Sequence, residues 1–182
     1  KIDELVRLFK LTKCEKKILI LSYLRQTNDD FCRITDCLSD SSLSQILGTK
    51  IDEVILSQNR NRNIRRYILK EREGEYKLQN HILYFFSDYG NPNEFFYKEC
   101  IDASFDIKSF AVNKKEIETL LCLLNTNTTG MNVLFHGEAG TGKTELAKSI
   151  ARVLNKKTYF INDENDRYGV QKRLASINAC IN

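Results

Sequence analysis

The strongest chemical signal in the chain is Gly137-Glu138-Ala139-Gly140-Thr141-Gly142-Lys143-Thr144, two glycines five positions apart followed by Lys and Thr. A polyphosphate concentrates negative charge. It is met by unpaired backbone N–H groups at a helix N-terminus, where the helix dipole is positive. Gly137, Gly140 and Gly142 let the chain curl and let phosphate approach without a Cβ in the way. By position, Lys143 would supply a flexible positive charge to the β- and γ-phosphates. Thr144 would offer its hydroxyl to a Mg²⁺ bridging them. With Glu145 in the first helical turn, residues 137–145 form the candidate nucleotide-binding set, and the competing reading is a glycine-rich turn that binds nothing.

Such a loop must be held between a strand and a helix. Met131-Asn132-Val133-Leu134-Phe135-His136 reads as a short buried strand, and Lys143 to Leu154 as a helix. Leu146, Ile150 and Leu154 share one helical face, while Ala147 and Ala151 keep it slim enough to lie close to a sheet.

The run from Val133 to Ala147 resembles the Walker A segment of AAA+ ATPases, commonly Gly-x-Pro-Gly-Thr-Gly-Lys-Thr followed by Leu-Ala. It departs at Ala139, where the family often has Pro. The resemblance covers roughly residues 113 to 182. It implies a P-loop α/β domain that binds ATP and Mg²⁺, assembles into a homo-oligomeric ring and remodels a macromolecular partner. Ser104 to Phe110 resembles the segment that enters such a module and often lies near the nucleotide base.

Turnover requires further acids to hold Mg²⁺ and position water. Tyr159-Phe160-Ile161-Asn162-Asp163-Glu164 ends in Asp-Glu and superficially resembles the Walker B element. It follows Lys143 by about one helix, which in the AAA+ arrangement makes it the second strand, whereas Walker B belongs to the third. The bland alternative is a core strand and a polar loop capping a helix from Val170 to Cys180. On that reading the catalytic contribution here is Lys143. The remaining acids, the sensor residue and the arginine finger are expected outside this span, making it part of a longer ATPase. The two family strands are not neighbours, so their edges would be unpaired and residues 130–182 are expected to open more readily than residues 1–88.

The preceding part reads as mainly helical. Ile2, Leu5, Val6 and Phe9 share a helical face, and Thr12 with Glu15 is a capping-box pattern opening a second helix. Phe31, Ile34 and Leu38 suggest a third. Leu43 to Val54 reads as helix, Gly48 turn capped by Thr49, and helix, resembling a helix-turn-helix. Ile64 to Lys70 and Tyr76 to Leu78 could pair as a hairpin around Gly74, which completes a winged-helix-like pattern, and residues 80–87 read as a further helix.

Winged helices often bind DNA, and Arg60, Arg62, Arg65, Arg66, Lys70 and Arg72 make the best basic patch. Asp52 and Glu53 at the start of the would-be recognition helix repel phosphate, so DNA is weighed but a solvated face or protein contact is preferred. The alternative to a motor is a nucleotide-gated regulator whose winged-helix-like module recognises DNA or protein.

Length and composition fit two small globular units: 182 residues, 42% hydrophobic, net charge +4. Mild charge does not demand nucleic acid or an anionic membrane. Neither a secretory signal nor a spanning run is visible, so a cytoplasmic protein without membrane partners is expected. Six cysteines lack zinc-knuckle spacing and read as reduced thiols. Asp88 to Asn93 holds the only proline and marks the break. The expected organisation is therefore a winged-helix-like module at 1–88, a linker at 89–112 containing a helix from Glu94 to Cys100, and the first part of a P-loop domain at 113–182. In that last part, Asn113 with Glu116 caps a helix whose Ile117, Leu120, Leu121 and Leu124 face inward.

Overall fold

The computed structural model describes residues 1–35, 39–72, 75–87, 92–100, 105–126, 130–161 and 169–182. They form a mainly helical structure that divides into two units, residues 1–98 with 161–182, and residues 99–160.

The first unit opens with α1 (Ile2–Leu8) and α2 (Lys13–Thr27). The Thr12–Glu15 capping box forms as the spacing predicts: the Glu15 N–H donates to the Thr12 hydroxyl and the Thr12 N–H to the Glu15 carboxylate. Then come α3 (Asp29–Thr35), α4 (Asp40–Leu47) and α5 (Ile51–Ser57). Gly48 ends α4 at φ +54°, a left-handed conformation that a Cβ disfavours. The Thr49 side chain does not cap α5, whose N-cap is Lys50; its hydroxyl faces the Cys14 thiol instead. Val54 is buried as expected, whereas Ile34 of α3 is 79% exposed and Thr35 takes the inward place. Leu38 lies outside the described residues.

The predicted strand 64–70 is only half a strand. Ile64–Ile68 winds as a π-helical turn that buries Ile64 and Ile68, four residues apart on one face, before β1 (Leu69–Arg72) pairs antiparallel with β2 (Glu75–Leu78). The register sets Leu69 opposite Leu78 and Arg72 opposite Glu75. The packing of two isoleucines outweighed their β propensity. Gly74 is outside the described residues.

α6 (Asn80–Ser87) and α7 (Pro92–Phe96) complete the aromatic part of the core: Phe9, Phe85, Phe95 and Phe96 meet with ring centroids 5.0–5.5 Å apart. Phe96 is buried, so the first unit continues through α7 rather than stopping near 88. The helix expected over 94–100 ends at Phe96 and gives way to β3 (Lys98–Cys100).

In the second unit a short 3₁₀ turn (Ile107–Ser109), capped by Asp106, lies within residues 105–110. α8 (Lys114–Thr126) starts at Asn113, whose side-chain oxygen accepts from the Lys115 N–H. Ile117, Leu120, Leu121 and Leu124 are its half-buried positions, as the pattern predicts, yet none is fully buried. α9 (Lys143–Val153) and β4 (Thr158–Phe160) follow, and β4 pairs with β3.

Residues 131–136, expected as a buried strand, form no ladder, and Leu134 is 90% exposed. A strand acquires its ladder from a neighbouring strand, and among the described residues no strand pairs with this segment. No parallel sheet occurs among the described residues. α10 (Gly169–Ile181), grouped by sequence with the phosphate loop, packs instead in the first unit, where Ala175 and Ala179 join the core. Its small-residue face lets it lie close to α1, α7 and the π-helical turn. Among the described residues no helix is long and apolar enough to cross a membrane.

Candidate functional site

Within the second unit, Gly140 and Gly142 adopt φ of +81° and +83°, so the loop turns where a Cβ would be strained. Gly142 is also the N-cap of α9, and a Cβ there would lie 3.2 Å from the Phe110 ring. The helix thus begins on a residue that must be small and left-handed. Its first N–H groups open toward the loop with no intrahelical acceptors.

Lys143 is the first residue of α9 and its side chain curls over the loop. Its ammonium donates to the Gly137 carbonyl at 3.0 Å, to the Glu138 carbonyl, and to the Thr141 hydroxyl at 3.3 Å. The Thr141 hydroxyl in turn donates to the Glu138 carbonyl at 2.9 Å. Thr144 is exposed at the helix start. Glu145 forms an ion pair with Lys148 at 2.6 Å, and this hydrogen bond holds the Lys148 ammonium above its ordinary pKa. Ala139 is exposed in the loop.

The segment before α8 is fastened to α9. The Phe105 carbonyl accepts from the Ser149 hydroxyl at 2.8 Å and the Arg152 guanidinium at 2.9 Å. Ser149 is fully buried and also donates to the Glu145 carbonyl. Phe105 and Phe110 meet edge to face at 6.3 Å. These ties bring the 105–110 segment beside the loop, and sequence reading did not foresee the carbonyl–guanidinium contact because its partners are 47 residues apart.

A cleft of about 660 Å³ opens against the loop, with Phe110, Val112, Ile117, Leu120, Phe135 and Leu146 among its walls and Gly137, Thr141 and Lys143 at one side. An apolar cleft bordered by a few convergent polar groups is the usual form of a small-molecule site. Of the sequence-predicted set from Gly137 to Glu145, Gly137, Thr141 and Lys143 line this cleft. Asp163 and Glu164 lie outside the described residues. Among the described residues no group of His, Cys, Asp or Glu side chains is arranged to hold a metal ion.

The basic stretch 60–72 is partly consumed by the fold. Arg62 makes two 2.8 Å hydrogen bonds to the buried Glu15 carboxylate. Arg65 stacks on Tyr76 at 3.7 Å and contacts Glu71, and Lys70 donates to Asn80. Three of the six cations counted as a patch thus act inside their own unit.

Comparison of the chain with protein families, with curated proteins and with solved structures gives no match.

Proposed function

We propose that the second unit binds ATP through residues 137–145, as the nucleotide-binding part of an AAA+ type ATPase that couples hydrolysis to remodelling a macromolecular partner. The observation that carries this is the left-handed Gly142 opening α9, with Lys143 folded over the loop beside an apolar cleft. The phosphates would take the N–H groups of residues 142–145 together with the Lys143 ammonium, which would exchange its loop carbonyls for phosphate oxygens. The cleft walls suit the flat face of a base.

The exposed Thr144 hydroxyl fits a hard cation next to bound phosphates, so Thr144 would help hold Mg²⁺. A Mg²⁺ held there would supply charge neutralisation to the phosphates. Lys143 would do the same from the protein's side once its ammonium moved from the loop carbonyls to those oxygens. The reading includes a homo-oligomeric ring, a cytoplasmic setting and catalytic acids in addition to Lys143. DNA is not the favoured partner, because three of the candidate cations are engaged within their own unit.

The test is ATP titration of the chain and of Lys143→Ala by calorimetry, with and without Mg²⁺. Affinity should fall at least ~10-fold in Lys143→Ala, and Thr144→Ala should lose the Mg²⁺-dependent part. Unchanged affinity in Lys143→Ala would sink the proposal. Robust ATP turnover by the isolated chain, lost in Asp163→Ala or Glu164→Ala, would move the catalytic acids into the second predicted strand.

A further inference from the structure

The helix-turn-helix segment of the first unit has a surface that suits neither DNA nor solvent. On α4 and α5, Ile46 (54% exposed), Ile51, Ile55 (51%) and Leu56 (63%) are turned outward, while Leu47, Val54 and Ser57 provide the buried side. A helical repeat places Ile51 and Ile55 one turn apart, so the outward aliphatics form a patch rather than scattered points. Their combined area is on the order of a few hundred Å², the scale at which an exposed patch on a monomer is commonly functional.

Charge identifies the occupant. Residues 40–57, which carry α4 and α5, hold three acids, Asp40, Asp52 and Glu53, against Lys50 alone, a net −2 in a chain of net +4. Asp52 and Glu53 sit in the first turn of α5 among the exposed isoleucines and are themselves exposed. Such a face repels phosphate backbones and attracts lysine and arginine. Solvation alone explains the acids but not the aliphatic residues between them.

We propose that the α4–α5 face docks a partner protein through an amphipathic segment whose apolar side chains cover Ile51, Ile55 and Leu56 and whose flanking Lys or Arg residues pair with Asp52 and Glu53. Apolar anchors supply the affinity and the charge rim sets orientation and selectivity. This is independent of nucleotide binding, because every residue in it lies outside the second unit.

The test uses the full 182-residue chain and a fluorescent amphipathic helical peptide of Leu and Lys, followed by anisotropy. Saturable binding with a Kd of about 1–100 μM is expected. Replacing both anchors, Ile55→Ser with Leu56→Ser, should weaken it at least ~10-fold. Both positions are exposed, so the circular dichroism spectrum should be unchanged. The pair Asp52→Lys and Glu53→Lys should weaken it likewise and turn preference toward a Leu/Glu peptide. Equal affinity in the anchor variant, or equal binding of the Leu/Glu peptide by the unaltered chain, overturns the proposal. So does concentration-dependent dimerisation abolished by the anchor variant, which would make a second copy the occupant. Salt-sensitive duplex DNA binding lost in that variant also overturns it.

Discussion

The two units bury very different amounts of what they contain. In the first, fourteen apolar residues form one continuous buried cluster, with Phe9 at the end of α1 and phenylalanines of α6 and α7 in ring contact. In the second, only Leu146 and Ile150 among the described apolar residues are buried, both on α9, while Val133, Leu134, Leu123, Tyr159 and Phe160 face outward. The hydrophobic residues are present in both. What differs is whether a second layer exists to receive them: α10 crosses back to cover the first unit, and among the described residues nothing comparable covers 131–136. A sequence can therefore specify a loop's local geometry and still leave its scaffold thinly packed. The glycine-rich loop at 137–144 needs only a few backbone angles and one helix start, whereas a core needs several elements at once.

Hydrogen exchange should show the comparison at its largest. Amides of 131–136 should exchange as nearly unprotected, and those of α2 and α6 only through global opening, a spread on the order of 5 kcal/mol in opening free energy. Equal protection by mass spectrometry would break the contrast.

Truncation at matched depth should sharpen it. Phe96→Ala in the first core should cost about 3–5 kcal/mol in denaturant unfolding. Ile150→Ala in the second unit should fall below the usual ~2 kcal/mol floor, since its surroundings can collapse. A larger loss at Ile150 than at Phe96 would show that the second unit has a real core.

Acid should act on the first unit. His81 is buried, with its Nε2–H donating to the Tyr67 carbonyl. Burial, reinforced by Lys172 and Lys70, lowers its pKa from 6.5 to about 4. The unfolded chain takes the proton first, so this stabilisation is complete above pH 6.5, falls as pH drops through the window, and is gone below about 4. The expected loss is about 3 kcal/mol, and His81→Gln should flatten it in urea unfolding measured across pH. Glu15 adds in the same direction: burial raises its pKa, but hydrogen bonds from Arg62 and Thr12 overcome this and leave it below 4.5. Its contribution is present above that value and disappears as pH falls through the lowered one.

The smallest effect is expected at the loop. Gly142→Ala forces a Cβ into a left-handed conformation and against Phe110, about 1–2 kcal/mol. It should weaken ATP binding by about tenfold and leave first-unit exchange unaltered. An unaffected affinity would mean the loop tolerates a different start to α9.

Much of this was legible because local chemistry decides it. The Thr12 box, the Gly48 stop, the Asn113 start and the α9 start at Gly142 each depend on residues within one turn. So does the inward face of α8, whose four expected apolar positions are its least exposed. Ile64 to Ile68 was misread because β-branched residues favour strands until two of them can fill a core four residues apart. Arg62 looked like part of a DNA-facing patch because its buried partner, Glu15, lies 47 residues away. Phe110 reaching Gly142, and α10 joining the first core, are likewise long-range results that no local pattern announces.

The double tie at the Phe105 carbonyl also bears on how the second unit forms. α9 can wind from its own residues, but joining Phe105 to Ser149 closes a stretch 44 residues long. The chain entropy of that closure is about 3 kcal/mol and must be met before the ties return anything. That cost favours late settling of the strap carrying Phe105 and Phe110, which would leave the cleft wall at Phe110 among the last parts of the second unit to form.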